Sequence, residues 1–142
     1  MLSPQSKYAI QAIFYLHENK ERGLFRVEDI AKNNNLPAAY LSKIFKVLTQ
    51  RKIIISRRGK NGGVMLNPKQ KKITFYDLCK ALDEPLLNEQ CVMFQKECSK
   101  KNPCPFHKTW SPLKKQMIDY LKEFTFSYDQ PKLDNFFLKK TT

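Results

Sequence analysis

A chain of 142 residues, 42% of them hydrophobic, can bury one compact core with an appended element but is too short for two full domains. Its net charge of +13 argues for a polyanion-binding surface, with a generally basic soluble protein or a membrane-surface binder as the blander alternatives. The longest aliphatic run, Ile53-Ile54-Ile55, excludes a membrane-spanning helix of ordinary length.

The charge is unevenly placed. Residues 1–83 hold sixteen Lys/Arg against six Asp/Glu, whereas residues 84–142 hold ten against seven. The apolar start is interrupted by Gln11 and is followed by no small-residue cleavage motif, so it reads as a helix and not a signal peptide. A cytoplasmic address is the expectation, and there the four cysteines are expected as thiols or ligands instead of disulfides.

Ser3-Pro4 is a helix start, since Ser caps free N–H groups and Pro fits the first turn. Tyr8, Ala9, Ala12, Ile13 and Leu16 then line one face, and residues 18–23 end the helix. His17 is expected at the surface, where it compensates the helix dipole. A short second helix runs through Val27, Ile30 and Ala31 until Asn33-Asn34-Asn35 breaks it. Pro37 opens a third, in which Leu41, Ile44, Phe45 and Leu48 form the i, i+3, i+4, i+7 stripe of a buried face. Ala38, Ala39, Ser42, Lys43 and Lys46 lie on its other faces, small at the start and basic along the side. Two short helices joined by a tight turn, the second with a small and basic outer face, make a helix-turn-helix.

The stretch RKIIISRRGKNGGVML follows, expected as strands at Ile53–Ile55 and Val64–Leu66 around a glycine-rich turn. Three of the four glycines fall here, and Arg51, Lys52, Arg57, Arg58 and Lys60 lie within ten residues free of acid. A hairpin tipped with arginine directly after a recognition helix is the wing of a winged helix, placed to meet phosphates or a narrow minor groove. The DNA-contacting set expected on these grounds is Ala39, Tyr40, Ser42, Lys43, Lys46, Arg57, Arg58, Lys60, Asn61 and Gly62. Thr74 to Asp77 reads as a capping box opening a fourth helix, whose stripe of Phe75, Leu78, Cys79 and Leu82 puts Cys79 in the core.

Residues 91–107, CVMFQKECSKKNPCPFH, have no apolar period and cannot bury a core face of their own. Cys91, Cys98, Cys104 and His107 are spaced C-x6-C-x5-C-x2-H. Thiolates with one imidazole suit an iron–sulfur cluster. Structural zinc is the next alternative, although zinc sites usually include a tight pair such as C-x2-C; metal-free thiol chemistry also stays open. Leu113, Met117, Tyr120, Leu121 and Phe124 then form a wide helical stripe that suits dimerisation or packing onto the chain's own domain. Pro112 either kinks this helix or begins it behind a Ser111 cap. The expected division is a DNA-binding domain over 1–83, a cluster-binding loop over 84–107, a dimerisation helix over 108–126 and a tail over 127–142.

Lys7-Tyr8-Ala9, Ile30-Ala31, Leu36-Pro37 with Tyr40-Leu41, the wing Arg58-Gly59-Lys60-Asn61-Gly62-Gly63, Asp77-Leu78 and the cysteine set together resemble the IscR/NsrR/CymR family of bacterial winged-helix regulators. The likeness covers about residues 1–126. It implies a mainly α fold, a homodimer, and operator binding controlled by an iron–sulfur cluster that senses redox state, iron–sulfur status or nitric oxide. The family cysteines map onto Cys91, Cys98 and Cys104 and the histidine ligand onto His107, with [2Fe–2S] favoured over [4Fe–4S]. Two departures stand out. The first cysteine gap is six residues where five is usual, and Lys7 occupies the place of an aspartate that can ligate in the nitric-oxide sensors.

The expected protein is therefore a homodimeric repressor or activator that binds a pseudo-palindromic DNA operator, with no membrane partner. The competing expectation is a cluster-free regulator, zinc-bound or thiol-based, controlled by a protein partner. An electron-transfer protein gives the basic wing no use. With two histidines and no convergent acid pair or activated nucleophile, no enzyme is expected.

Overall fold

A computed structural model describes residues 2–70, 72–88 and 97–128. Along the chain run α1 (Pro4–Glu18), a 3-10 turn (Lys20–Arg22), α2 (Val27–Asn34), α3 (Ala38–Gln50), β1 (Ile54–Arg57) and β2 (Gly63–Leu66). Then come β3 (Ile73–Thr74), α4 (Phe75–Ala81), a second 3-10 turn (Pro85–Leu87), α5 (His107–Glu123) and β4 (Thr125–Phe126). The fold is mainly α, a winged helix-turn-helix followed by a long helix.

α1 begins as its sequence dictates: the Ser3 hydroxyl accepts the Ser6 N–H at 3.3 Å, and Pro4 occupies the first turn. Ala9, Ala12, Ile13 and Leu16 are fully buried on one face and form the floor of the core. His17 is buried as well, which corrects its expected surface placement. It stands four residues beyond Ile13, on the inward side of the helix, with Nδ1 3.5 Å from Glu18 Oε1.

The three asparagines at the end of α2, of which Asn33 and Asn34 are still helical, each do something different. Asn33 Nδ2 donates to the Tyr15 hydroxyl at 2.9 Å, tying α2 to α1. Asn34 is buried and donates back to the Ile30 carbonyl at 2.8 Å, while Asn35 adopts the left-handed conformation that ends the helix. The chain then turns into α3, where Leu41, Ile44, Phe45 and Leu48 are buried as their spacing requires. Each such side chain contributes about 1.5–3 kcal/mol by leaving water.

β1 and β2 pair antiparallel, with Ile54 opposite Leu66 and Arg57 opposite Gly63. The first strand thus runs from Ile54 through Arg57, beyond the Ile53–Ile55 limits that the β-branched run alone marks out. Thr74 caps α4 by the expected capping box: its hydroxyl accepts the Asp77 N–H, and the Asp77 carboxylate accepts the Thr74 N–H. α5 runs continuously from His107 with Pro112 inside it, so no fresh helix starts at Pro112. As the sixth residue of the helix, Pro112 leaves the Lys108 carbonyl without its intrahelical donor, a local cost that the rest of α5 absorbs. α5 stops at Glu123, and Thr125 and Phe126 pair with Thr74 and Ile73. Phe75 stacks on Phe124 at 4.5 Å, and the Phe75 N–H donates to the Phe124 carbonyl at 2.9 Å, fixing this return of the chain.

Candidate nucleic-acid interface and cysteine site

Burial of one face of α3 leaves the opposite face free. Ala38, Ala39, Tyr40, Ser42, Lys43 and Lys46 are all exposed, and the Ser42 hydroxyl donates to the Ala38 carbonyl at 3.0 Å. Tyr40 packs edge-on against Tyr8 of α1 at 5.7 Å, which orients the start of the helix. On the wing Arg57, Arg58, Lys60 and Asn61 are exposed and Gly62 is half-buried. Small side chains at the helix N-terminus, lysines along its flank and a cationic hairpin beside it suit a major groove and the adjoining phosphates.

The wing is braced by a segment that the sequence pattern did not single out. Phe25, just before α2, forms a two-way bridge with Val64, its N–H donating at 2.9 Å and its carbonyl accepting at 2.7 Å. Tyr15 meets the Phe25 ring edge-on at 5.4 Å, and the Arg22 guanidinium lies 5.4 Å from its centroid. Gly63 is required by this closeness: a Cβ there would lie 2.3 Å from the Phe25 carbonyl oxygen, and its φ is +149°. Arg26 Nη2 then reaches the Lys60 carbonyl at 2.9 Å, joining the entrance of α2 to the wing tip.

A buried polar knot lies at the other end of α1. Glu84 is 1% exposed, and its carboxylate accepts the Ser3 N–H and the hydroxyls of Ser3 and Ser6. Burial pushes the Glu84 carboxyl up, but these hydrogen bonds outweigh it and hold the group below the usual value. Cys79 beside it is fully buried, and burial raises its thiol to about 11, as befits a core residue rather than a ligand.

Of the four expected metal ligands, Cys98 and His107 are brought together, Sγ to Nδ1, at 3.4 Å. Cys104 precedes α5 by one turn, and its carbonyl accepts the His107 N–H at 3.0 Å. Both cysteines are half-buried free thiols. Cys91 lies outside the described residues. Among the described residues no group of three His, Cys, Asp or Glu side chains converges as a metal site. The donor chemistry nonetheless fits an iron–sulfur or zinc centre: soft sulfur and one imidazole, adjacent and reachable from solvent. The groove beside them is also lined by Lys100, Lys114, Lys115 and Lys122 against Glu97 and Asp119, with Lys115 paired to Asp119 at 2.7 Å, so the lining is cationic on balance and compatible with a centre bound by thiolates. Sequence reasoning missed the lysine lining, because it is assembled from two separate segments.

The apolar stripe of α5 divides in two. Leu121 is buried and Phe124 packs on Phe75, whereas Leu113 and Tyr120 are 53% and 62% exposed. Among the described residues no helix is long and apolar enough to cross a membrane.

Residues 2–128 match the family model Rrf2, described as iron-dependent transcriptional regulators. A protein of Aquifex aeolicus (strain VF5), named among the HTH-type transcriptional regulators, is 34% identical over 88% of this chain and 88% of its own. The HTH-type transcriptional regulator IscR of Klebsiella pneumoniae (strain 342) is 25% identical over 87% of this chain and 76% of its own. Among solved structures, IscR of T. potens superposes with a TM-score of 0.66 at 24% identity, covering 88% of this chain and 82% of that one. CymR, the global cysteine regulator of B. subtilis, superposes with a TM-score of 0.69 at 21% identity, covering 88% and 92%. These two likenesses bear on the fold.

Proposed function

Because the chain belongs to the Rrf2 family of transcriptional regulators, we propose that it binds operator DNA as a homodimer under control of an iron–sulfur cluster held by Cys91, Cys98, Cys104 and His107. It is a regulator and not an enzyme, as its relatives are. The DNA-binding unit is residues 1–83, with Ala39, Tyr40, Ser42, Lys43 and Lys46 of α3 in the major groove. Arg57, Arg58, Lys60, Asn61 and Gly62 of the wing meet the flanking backbone and minor groove. The exposed small-and-basic face of α3 beside the braced wing is the observation that carries this reading.

A two-fold dimer formed through the free face of α5, around Leu113 and Tyr120, reads a pseudo-palindrome with half-sites about one helical turn, or a multiple, apart. This role places the protein in the cytoplasm with the chromosome. Duplexes enriched from a random pool by the protein test both points, because a dimeric reader returns an inverted repeat.

For the regulatory site, the support is the Cys98–His107 pair in its lysine-lined groove. When bound, a cluster, [2Fe–2S] before [4Fe–4S], supplies a centre that oxidants or nitric oxide can alter. Cys98 and His107 tie residues 97–106 to the first turn of α5. Releasing that tie changes the spacing or order of the two DNA-binding units. A visible spectrum of protein purified without oxygen, with iron, sulfide and zinc assays, is the first test. Iron and sulfide in matching amounts support the reading, whereas one zinc per chain moves the site to a structural role. If Cys98→Ala leaves both DNA affinity and its response to oxidant unchanged, the switch is wrong.

A second reading, cluster-free thiol or partner control, is supported by Cys98 and Cys104 standing as half-buried free thiols within reach of solvent. It expects a colourless protein even after anaerobic reconstitution.

A further inference from the structure

Arg26 stands outside every DNA-contacting element, yet it is the residue that reaches the wing tip. It occupies the N-cap position of α2 in extended conformation, with no side-chain capping bond of its own. Its neighbour Phe25 is locked onto β2 by the paired backbone bonds with Val64, and Gly63 allows that approach at the cost of any side chain. The Arg26 side chain therefore leaves a fixed backbone point. Nη2 donates to the carbonyl oxygen of Lys60, which lies between Arg58 and Asn61 in the turn that joins β1 to β2.

We propose that Arg26 is a positioning residue for the wing: it presets the tip so that Arg58 and Lys60 meet DNA without first having to be ordered. The inference rests on the DNA-binding reading above. Three physical points support it. The turn is closed by the Gly62 N–H to the Gly59 carbonyl at 3.0 Å, but Gly59, at φ +105° with nothing within 4 Å of where a Cβ would stand, leaves its outer edge without a side chain to stiffen it. A charged donor to a carbonyl is stronger than a neutral one. The acceptor is main chain, so the contact survives any change of the Lys60 side chain. Ordering the tip in advance lowers the entropy cost of binding and shows in affinity, not in the buried core.

The experiment is a double-mutant cycle on the full chain, with the duplex that wild-type protein enriches from a random pool as probe and fluorescence anisotropy as readout. Arg26→Ala is expected to weaken binding about three- to ten-fold with a nearly unchanged melting temperature. In an Arg58→Ala/Lys60→Ala background the same change is expected to cost less than about two-fold, because the wing no longer reads DNA. Arg26→Lys, which keeps the charge but not the planar fork, is expected to fall between. An additive loss, with the salt slope reduced by about one, overturns the proposal and makes Arg26 a direct phosphate contact. Undiminished affinity of Arg26→Ala overturns it too. A wild-type protein that enriches no duplex at all defeats the DNA-binding reading itself, and is told apart from either result by that first step.

Discussion

The wing and the cysteine segment are both exposed, polar excursions, but they are held by different means. The wing has a strand ladder, a second backbone bridge to Phe25, a guanidinium brace and two glycines fitted against backbone. Residues 97–106 have no helix or strand, and none of them is buried. Their described fastenings are the Cys98–His107 contact, a bond from the Lys101 N–H to the Ser99 hydroxyl and the turn into α5. A surface that must match a rigid duplex gains from being built in advance. A segment whose only cross-link is made by candidate metal ligands takes its order from whatever those ligands hold.

The sharpest way to break this contrast is at Gly63. Gly63→Ala sets a methyl group 2.3 Å from the Phe25 carbonyl and is expected to cost about 3 kcal/mol, read from the denaturation midpoint. Gly59→Ala meets nothing within 4 Å and pays only for its positive φ, about 1 kcal/mol. Equal costs at the two positions would show that the Phe25 bridge does not brace the wing.

Next in size is the Glu84 knot, which joins α1 to the chain leading toward the cysteines. Glu84→Ala strands the Ser3 and Ser6 donors and is expected to cost about 2 kcal/mol. Because the carboxyl is held below its ordinary value, its contribution is present above about pH 4.3 and is lost as pH falls through the lower folded value. Glu84→Gln should therefore differ from wild type at pH 7 and converge on it in acid. A constant difference across that range would remove Glu84 as an ionised cap.

Changes on the free face of α5 should leave folding nearly untouched. Leu113→Glu and Tyr120→Glu are expected to shift stability by less than about 0.5 kcal/mol while weakening self-association at least about ten-fold by sedimentation. Leu121→Ala, at a buried position, is expected to cost about 2–3 kcal/mol of folding energy.

The winged helix was legible because its signals are local and agree with each other: the α3 stripe, the Ser3 and Thr74 caps, and the glycine-rich turn with its arginines. What escaped depends on distant partners. Arg26 is one more basic residue until Lys60 comes beside it, thirty-four positions away. His17 looked like a surface residue because its burial is decided by what packs on α1. Thr125 and Phe126 follow an apolar helical pattern and leave it only because β3 is there to pair with. The cysteine spacing named a set of donors, but spacing carries no distance, and among the described residues only the side chains of Cys98 and His107 meet.

The smallest energetic effect, and the clearest chemical one, separates the cysteines themselves. Cys98→Ala or Cys104→Ala in metal-free protein removes only a half-buried sulfur outside the core, so less than about 0.5 kcal/mol is expected to be lost. In protein reconstituted with iron and sulfide the same changes should lower the melting point clearly, because a ligand that binds only the folded state adds its binding energy to stability. Alkylation then distinguishes the thiols one by one. Burial lifts the Cys79 thiol to about 11, so near neutral pH it stays protonated, and that sulfur is shielded as well. Cys98 and Cys104 are half-buried and should react with iodoacetamide in native metal-free protein, and be protected once metal is bound. Mass mapping that finds Cys79 modified as fast as Cys98 would mean that the core around α4 opens readily. Protection of Cys98 and Cys104 by zinc but not by iron and sulfide would assign the segment a structural ion. It would also leave the preset wing as the part of the molecule whose geometry needs no cofactor.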